Sequence, residues 1–431
     1  MREAPAFVLT LGTVRPVPAF HSAGTYLDVD QPIYGALTQY MCPTSDGAAM
    51  DARVEPDQPP SSSRLEGCEH IALVLQGGGA LGAYQAGAYQ ALHEAGVEPD
   101  WLAGVSIGSI NAALIAGNPP ERRLSRLREF WETITTRRRW LWPTEGDEVH
   151  RALNNWSSLE AMTLGQPGFF SPNIPPPWMS PGGSHTATSF YDSTPLRETL
   201  LRLVDFDLIN QRTTHYAAGA VNVLTGNFAY FDNAETEITP EHVMASGALP
   251  PALPMVRIGS DWYWDGGLVS NTPLQHLLEH ARCHSMLVFQ VDLFSARGVI
   301  PRDMFDVIAR EKDIRYSSRT RLITDTYTER HRQNLMLRRL LDKVPDSELD
   351  PSERALKQKL CNLPRITLLH LIYQQMAYEG QAKDYDFSPE SMREHWDSGY
   401  RDTQRTLEHS DWLAMPQDSG IVVHDVHRTE A

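Results

Sequence analysis

The chain has 431 residues, a formal net charge of -16 at pH 7 and 41% hydrophobic residues, which is enough apolar material for a sizeable core. This acidity argues against nucleic acid as the main partner, because binding to phosphates requires clustered lysine and arginine side chains. The cysteines form no C-x-x-C pair, which argues against a disulfide framework or a metal site and favours reduced thiols at Cys42, Cys68, Cys283 and Cys361.

The first residues, MREAPAFVLTLGTVRPVPAF, include a glutamate and prolines, which secretion signals avoid. No apolar run reaches the ~18 residues of a membrane-spanning helix. We therefore expect a cytoplasmic protein. Residues 1–69 are rich in Pro, Ser, Asp and Gly without a sustained period, and this composition is typical of a linker-like or disordered segment.

A regular alternation of short apolar runs and helix-like runs begins at residue 70. IALVLQ (71–76) and WLAGVS (101–106) are predicted to be buried strands, and the glycine-bounded runs at 83–96 and 107–117 are predicted to be helices. An amphipathic helix is predicted at 121–134. Such alternation is typical of a mostly parallel sheet covered by helices, so the expected fold class is α/β.

Residues 137–190 differ from this core because they are rich in turn-forming and aromatic residues. Four of the ten tryptophans fall there: Trp140, Trp142, Trp156 and Trp178. We interpret the segment as a cap or lid inserted into the α/β domain, residues 70–296, that carries the motifs described below. Strand-like runs at 215–231 and 285–294 complete the expected core.

The character of the chain changes after residue 297. Residues 302–343 contain eleven Lys/Arg and seven Asp/Glu, with apolar residues at helical spacing, and are locally basic in an acidic protein. ITLLHLIY (366–373) is a strand candidate, and 391–409 is a helix candidate. Residues 297–431 are therefore predicted to form a mainly helical C-terminal extension.

The motif GGGALG places Gly77, Gly79 and Gly82 in a G-x-G-x-x-G pattern between a strand and a helix. Three interpretations fit it: a dinucleotide-binding loop, a plain glycine turn, or an oxyanion hole made of backbone N–H groups. A dinucleotide site needs an acid at the end of the second strand, whereas Asp100 lies before that strand. A candidate nucleophile follows within one βα unit, which favours the oxyanion hole.

The motif GVSIG presents Ser106 between Gly104 and Gly108 at a predicted strand-to-helix junction. This G-x-S-x-G pattern indicates a nucleophile on a sharp turn. The alternative is a serine that caps the following helix. The two roles are compatible, since the helix dipole also favours a nucleophile at that position.

A serine hydroxyl needs a base, and none of the sixteen histidines stands out as one. Asp265 is the better candidate, because it ends an aromatic strand-like run and precedes Gly266 and Gly267. Such a strand end is where α/β sheets place functional groups. The alternative is an aspartate that serves the backbone of the turn.

Taken together, GGGALG, GVSIG and DGG resemble the pattern of the patatin-like phospholipase family over about residues 70–294. The stretch ASGALPPALP (245–254) is also similar to that family. The resemblance implies a three-layer α/β/α fold with a mostly parallel central sheet and an added helical C-terminal region. It further implies a Ser-Asp dyad, with Ser106 as the nucleophile and Asp265 as the base.

The resemblance also implies an oxyanion hole made of the backbone N–H groups of Gly77, Gly78 and Gly79. It implies neither a cofactor nor a metal. One departure concerns Leu81, since many members of the family carry Arg or Lys at that position. A role for that positive charge in head-group contact or loop positioning is therefore not expected here.

The expected activity is hydrolysis of the carboxylic esters of lipids, of the phospholipase A or lysophospholipase type, through an acyl-enzyme on Ser106. Another ester, such as a neutral lipid, a thioester or a polyester, is an alternative substrate. A nucleotide-binding regulatory module is the less favoured alternative class. Aspartate is a poor base at its usual pKa of ~3.9, so we expect partial burial near Trp262 and Trp264 to raise the pKa of Asp265.

Peripheral contact with a membrane is predicted through residues 137–178 and 302–343. Aromatic side chains favour the boundary between membrane and water, and basic amphipathic helices favour anionic lipid surfaces. The alternative is that the tryptophans pack internally and the basic helix is a solvated face or a dimer surface.

Overall fold

The computed structural model describes residues 67–135, 157–280, 285–361, 363–375, 379, 383–417 and 420–425. Almost all of the predicted linker-like segment lies outside the described residues. The first part of the predicted cap, 137–156, also lies outside them, together with Trp140, Trp142 and Trp156.

A single nine-stranded sheet organises the described part of the chain, in the order β11-β10-β9-β1-β2-β5-β8-β7, with β6 paired to β5. Its parallel strands are β1 (His70–Leu75), β2 (Trp101–Val105), β5 (His215–Asn222), β9 (Ser285–Asp292), β10 (Arg365–Ile372) and β11 (Gly420–Asp425). The strands that pair antiparallel at one side are β6 (Phe228–Asp232), β7 (Val256–Ile258) and β8 (Asp261–Asp265). A separate two-stranded ladder joins β3 (Ser171–Pro172) to β4 (Tyr191–Asp192).

Helices cover both faces of this sheet. The helices before β9 are α1 (Ala83–Glu94), α2 (Ile107–Ala116), α3 (Pro120–Ile134), α4 (157–164), α5 (Thr194–Leu203), α6 (Phe206–Asn210), α7 (Pro240–Ser246) and α8 (Leu274–His280). Those after it are α9 (Met304–Leu341), α10 (Pro351–Cys361) and α11 (Pro389–Glu408).

The alternation of side chains along β1 divides the core into two layers. Leu73 and Leu75 pack into the larger cluster, which contains residues of α1, α2, α3 and α11. Ala72 and Val74 point to the opposite face and pack with residues of α8 and, at Ile323, of α9. Since every one of these strand residues is fully buried, the strand is apolar throughout, as a parallel strand covered on both faces must be. The expected three-layer α/β/α fold is confirmed.

The region after residue 297 is helical in α9, α10 and α11, as expected, and it also extends the sheet. β10 pairs with β9 along its whole length, and β11 pairs with β10, both in parallel. The strand candidate at 366–373 thus belongs to the same continuous sheet as β1, from which β9 separates it. The described residues belong to one compact unit, Pro59–Ala431. The division of the chain at 296/297 stays a prediction about sequence segments.

Helix α11 lies against α1 at very short range. A Cβ atom added at Gly87 would lie 1.9 Å from the Trp396 carbonyl oxygen, and one added at Gly399 would lie 1.9 Å from the Tyr84 carbonyl oxygen. Glycine is required at both positions because the two backbones touch there. The Tyr84 hydroxyl donates to Asp402 over 2.9 Å, which adds a buried polar contact to the same crossing.

Candidate active site

Ser106 lies on a strained turn between β2 and α2. Its backbone has φ 56° and ψ -127°, a conformation that a residue with a Cβ atom adopts at an energetic cost. The glycines on both sides allow the turn to be this tight. A Cβ atom at Gly104 would lie 2.3 Å from the Gly108 carbonyl, and one at Gly108 would lie 2.3 Å from the Leu75 carbonyl oxygen.

Hydrogen bonds from α7 hold this turn in place. The Ser106 N–H donates to the carbonyl oxygen and to the side-chain oxygen of Ser246, each over 3.1 Å. The Ser246 hydroxyl in turn donates to the Gly219 carbonyl of β5 over 2.7 Å. The stretch 245–254, which carried part of the family resemblance, therefore stabilises the serine turn directly.

Asp265 ends β8 and faces Ser106. Its carboxylate is buried, interacts with the Ser106 side chain, and accepts the Gly267 N–H over 2.7 Å. Burial raises the pKa of Asp265 to about 7, against the opposing effect of these two contacts. The glycine after it permits a close approach to β5, because a Cβ atom at Gly266 would lie 2.6 Å from the Gly219 carbonyl oxygen.

The expected rise in the pKa of Asp265 therefore has burial as its cause, but the two tryptophans do not provide it. Side chains alternate along a strand, so Trp262 and Trp264 project from the face of β8 opposite to Asp265. Neither of them lines the cleft that contains the carboxylate, whereas Tyr316 and Tyr385 do.

The glycine loop lies beside the serine. A Cβ atom at Gly77 would lie 3.0 Å from the Cβ atom of Ser106. Asn271 holds this residue on both sides: its carbonyl oxygen accepts the Gly77 N–H over 3.2 Å, and its side-chain amide donates to the Gly77 carbonyl over 2.9 Å. The Gly77 N–H is therefore already bonded, although the sequence had suggested it as an oxyanion donor.

The next two glycines have the exposed amides. Within the described part of the chain, the N–H groups of Gly78 and Gly79 donate to no protein acceptor. Gly79 has φ +56°, and a Cβ atom there would lie 2.3 Å from the Asp384 carbonyl oxygen. Both the backbone conformation and the space thus require glycine. Gly82, the last glycine of the motif, is packed against the Ile107 side chain, where a Cβ atom would lie at 2.5 Å.

Leu81, the residue that departs from the family pattern, is fully buried in the larger core cluster. A positive charge at this position would be enclosed by apolar side chains. The leucine is thus a core residue here and does not face the cleft.

Ser106, Asp265 and the glycine loop share one cleft with mainly apolar walls. One part of the lining comes from helix α4, the β3–β4 region and the segment after α7. Another part comes from the segment after β9, from α9 and from residues 384–387. The apolar and aromatic residues of the lining are Ile107, Ile110, Ala161, Met162, Phe169, Phe170, Tyr191, Leu249, Ala252, Leu253, Phe294, Tyr316, Tyr385 and Phe387. Such a cleft suits a long hydrocarbon chain placed next to a reactive serine.

The histidines considered from the sequence lie elsewhere. No described histidine lines the cleft. His242 caps its own helix through Thr239, and the His276 ring donates to the buried Asp232 carboxylate over 2.7 Å. Among the described residues, no group of three or more His, Cys, Asp or Glu side chains could hold a metal ion.

Sequence reasoning missed several residues that build this site. Asn271 stands six residues after the aspartate, in the stretch VSNTP, and it is buried, which the sequence alone does not show. Gln76 precedes the glycines and accepts the N–H groups of Leu293 and Phe294 over 2.6 and 3.0 Å, which fixes the chain after β9. Asp384, Tyr385 and Phe387 also line the cleft, and no motif in the sequence around them indicates this.

These features define an α/β/α protein that presents a serine on a strained strand-to-helix turn, in one cleft with a buried aspartate. A family model described as patatin-like phospholipase matches residues 73–278, and a second one, described as patatin phospholipase, matches residues 314–419. The chain belongs to the patatin-like phospholipase family.

Curated relatives match a short part of this chain. A putative patatin-like phospholipase domain-containing protein M110.7 of Caenorhabditis elegans is 43% identical over 61 residues, which is 14% of this chain and 6% of that protein. Patatin-like phospholipase domain-containing protein 6 of mouse and of human is 46% identical over 67 residues, which is 15% of this chain and 5% of each relative.

Two solved structures align at low similarity. VipD from Legionella pneumophila is 14% identical, with a TM-score of 0.35, over 79% of this chain and 67% of that chain. Human GIVD cytosolic phospholipase A2 is 10% identical, with a TM-score of 0.39, over 79% of this chain and 58% of that chain.

Proposed function

We propose that this protein is a serine hydrolase that cleaves carboxylic ester bonds of lipids through a Ser106–Asp265 dyad. The observation that carries the proposal is that Ser106 and the buried Asp265 line the same apolar cleft and interact there, with the pKa of Asp265 raised to about 7. A general base works best when its pKa is close to the working pH. An aspartate with its usual pKa would accept the serine proton poorly.

The proposed reaction uses the same two residues in both half-reactions. Asp265 accepts the Ser106 proton as the serine oxygen attacks the ester carbonyl carbon, and the carbonyl oxygen becomes an oxyanion. We assign the stabilisation of that oxyanion to the N–H groups of Gly78 and Gly79, since the Gly77 N–H is engaged by Asn271. Asp265 then protonates the leaving alcohol. A water molecule, deprotonated by Asp265, hydrolyses the acyl-enzyme.

The alternative of a nucleotide-binding module is disfavoured by the position of Asp100. Its carboxylate accepts the Ile71 N–H over 3.1 Å and bonds to the His70 ring over 3.1 Å, at the amino-terminal end of β1. A dinucleotide fingerprint needs its acid at the carboxyl-terminal edge of the sheet, where the phosphate loop lies. The glycine loop instead packs against Ser106.

Peripheral contact with a membrane is part of the proposal. Large apolar side chains are exposed near the described part of the cap and at the start of α9: Ile174, Trp178, Met179, Val299, Ile300, Met304 and Phe305. The C-terminal edge of the sheet carries the cleft, so α9 begins on the same side as the serine. Among the described residues, no helix combines the length and the hydropathy that crossing a bilayer requires.

Co-sedimentation with anionic liposomes at low salt tests this contact. We expect binding by the wild type and weaker binding by a Trp178→Ser/Phe305→Ser double variant, because both side chains are more than half exposed, at 76% and 58%. A wild-type protein that stays in the supernatant would remove membrane contact from the proposal.

Labelling by a fluorophosphonate probe tests the nucleophile. The wild type should label, Ser106→Ala should not, and Ser125→Ala is the matched control, since Ser125 is a partly exposed helix residue outside the cleft. Turnover of a lipid ester should fall at least ~10³-fold in Ser106→Ala. Equal labelling of Ser106→Ala and the wild type would refute the serine-hydrolase proposal.

Once Ser106-dependent labelling is established, a panel of phospholipid, lysophospholipid, neutral glyceride and thioester substrates identifies the ester that the enzyme cleaves.

The pH dependence tests the base. Because Asp265 must be deprotonated to accept the serine proton, kcat/KM should fall as the pH drops below about 7, the value to which burial raises the pKa of this carboxyl. An acid limb centred near pH 4 would show that Asp265 titrates as an ordinary aspartate and would contradict the proposed environment.

A further inference from the structure

One wall of the cleft comes from the region after residue 297. Tyr316 of α9 and the residues Asp384, Tyr385 and Phe387 line the cleft, as apolar residues of α4 do. The Phe387 ring lies 5.9 Å from the Phe169 ring, so this wall also meets the described part of the cap. The segment is close to the glycine loop, since the Asp384 carbonyl oxygen fills the space where Gly79 would carry a Cβ atom.

Two crossed ion pairs, each between a residue of α9 and a residue of the segment 383–384, hold that segment against α9. Lys312 bonds to Asp384 over 2.7 Å, and its neighbour Asp313 bonds to Lys383 over 2.7 Å. The second pair is almost completely buried, with side chains 2% and 9% exposed. The Lys312 ammonium also lies 5.2 Å from the centre of the Tyr385 ring, close enough for a cation–π contact. Lys312 and Asp313 have opposite charges, and so do Lys383 and Asp384. A shift of one segment by one residue would place like charges together, so the pairs define how α9 aligns with residues 383–384.

The two tyrosines of this wall present hydrogen-bond donors to the cleft. Within the described part of the chain, neither the Tyr316 nor the Tyr385 hydroxyl donates to a protein acceptor. Burial raises the pKa of both phenols, and the charges of Asp265 and Asp384 add to the effect. Both hydroxyls therefore stay protonated, and the charge of the proposed base, Asp265, acts on both of them.

The two walls of the cleft differ in chemistry, as the two halves of an acylglycerol do. The wall of α4 and the cap offers hydrocarbon contacts for an acyl chain. The wall of α9 and residues 384–387 offers phenolic donors, and the Asp384 carboxylate on it is neutralised by Lys312. A glycerol backbone carries uncharged ester and hydroxyl oxygens beside the scissile bond, and each of them accepts a hydrogen bond.

We propose that the hydroxyls of Tyr316 and Tyr385 bind the glycerol oxygens of an acylglycerol substrate, and that the crossed ion pairs position Tyr385 for this contact. The inference rests on the proposed function of Ser106 and Asp265. It assigns to the C-terminal region the recognition of the alcohol side of the ester.

Two substrates with the same acyl chain test the contact: monooleoylglycerol and ethyl oleate, in mixed detergent micelles. The wild type should prefer the glycerol ester in kcat/KM. Tyr316→Phe and Tyr385→Phe keep the ring and remove the hydroxyl, so each should lower that preference about threefold to tenfold, mainly through KM, as expected for one lost hydrogen bond. Tyr400→Phe is the control, because the exposed Tyr400 hydroxyl donates to Glu94 outside the cleft.

The preference ratio separates this inference from the proposed function. A wild type without a preference for the glycerol ester, or phenylalanine variants that retain it, would overturn the role of the tyrosines while leaving Ser106 labelling intact. Absence of Ser106-dependent labelling would instead refute the proposed function itself. A variant that lost both substrates equally would show a structural effect and would count against recognition.

The ion pair is tested by rescue and by a double-mutant cycle. Lys312→Ala should lower the preference for the glycerol ester, and Lys312→Arg should restore most of it, because arginine can also bond to Asp384. If Lys312 acts by positioning Tyr385, the Lys312→Ala/Tyr385→Phe double variant should show a smaller loss than the product of the two single losses. Independent, multiplicative losses would refute the positioning role.

Discussion

Replacing Asp265 by asparagine should abolish turnover and at the same time stabilise the folded protein above neutral pH. Asparagine is similar in size and can still accept the Gly267 N–H that the carboxylate accepts over 2.7 Å. It removes the charge that burial makes costly. The proposed base is therefore expected to be a residue that lowers the free energy of unfolding in exchange for reactivity.

The magnitude follows from the shift in the pKa of Asp265. Burial raises this pKa from 3.8 to about 7, so the folded protein binds the proton more tightly than the unfolded chain does. Stability consequently falls as the pH rises from about 4 to about 7 and is then constant. Each pH unit in that window is worth about 1.4 kcal/mol, which gives at most ~4 kcal/mol above pH 7 and ~3 kcal/mol between pH 5 and pH 8.

Urea unfolding followed by tryptophan fluorescence, at pH 5 and at pH 8, measures the effect. From pH 5 to pH 8 the wild type should lose up to ~3 kcal/mol of unfolding free energy relative to Asp265→Asn, because the variant lacks the buried carboxylate. Ser106→Ala is the control, since it retains the carboxylate and should show no such gain. A variant-minus-wild-type difference that is independent of pH would refute the assignment of a raised pKa to Asp265.

Two further substitutions test the glycine loop. Gly79→Ala should reduce activity ~10²–10³-fold, as the loss of an oxyanion donor does, because its Cβ atom would lie 2.3 Å from the Asp384 carbonyl oxygen. Gly96→Ala is the control with a similar positive φ and open space, and equal losses in both would contradict the steric explanation. Asn271→Ala removes the amide that donates to Gly77 over 2.9 Å, and kcat for a soluble ester should fall about tenfold; an unchanged kcat would show that Asn271 does not position the loop.

Much of the sheet could be predicted from local patterns. IALVLQ and WLAGVS are short, mostly apolar runs, and the structure places strands at His70–Leu75 and Trp101–Val105. These runs are informative because a parallel strand is buried on both faces and has no polar side to obscure it. The helices that follow are also delimited in the sequence by glycines, which mark where each one starts or stops.

The sequence predicts that the glycine loop forms an oxyanion hole, but it does not show which N–H groups are free to act as donors. The three consecutive glycines at 77–79 cannot be distinguished in this respect from the sequence alone. Asn271 removes one of them from the set of free donors, and it lies 194 residues away in the sequence from Gly77. No local pattern reports such a long-range partner, because the contact exists after the sheet has brought the ends of β1 and β8 together.

The C-terminal region shows what composition describes and what it leaves out. Its many charged residues and its helical periodicity describe α9 correctly, but they do not report which strand a later strand candidate pairs with. Met286 and Val288 of β9, however, are fully buried, and β10 pairs with that strand along its whole length. Without β10, the β9 edge would expose unpaired backbone groups and an apolar surface, which folded proteins avoid. The same region that closes the sheet also places Tyr316 and Tyr385 in the cleft, so the fold and the proposed recognition of substrate depend on one segment of the chain.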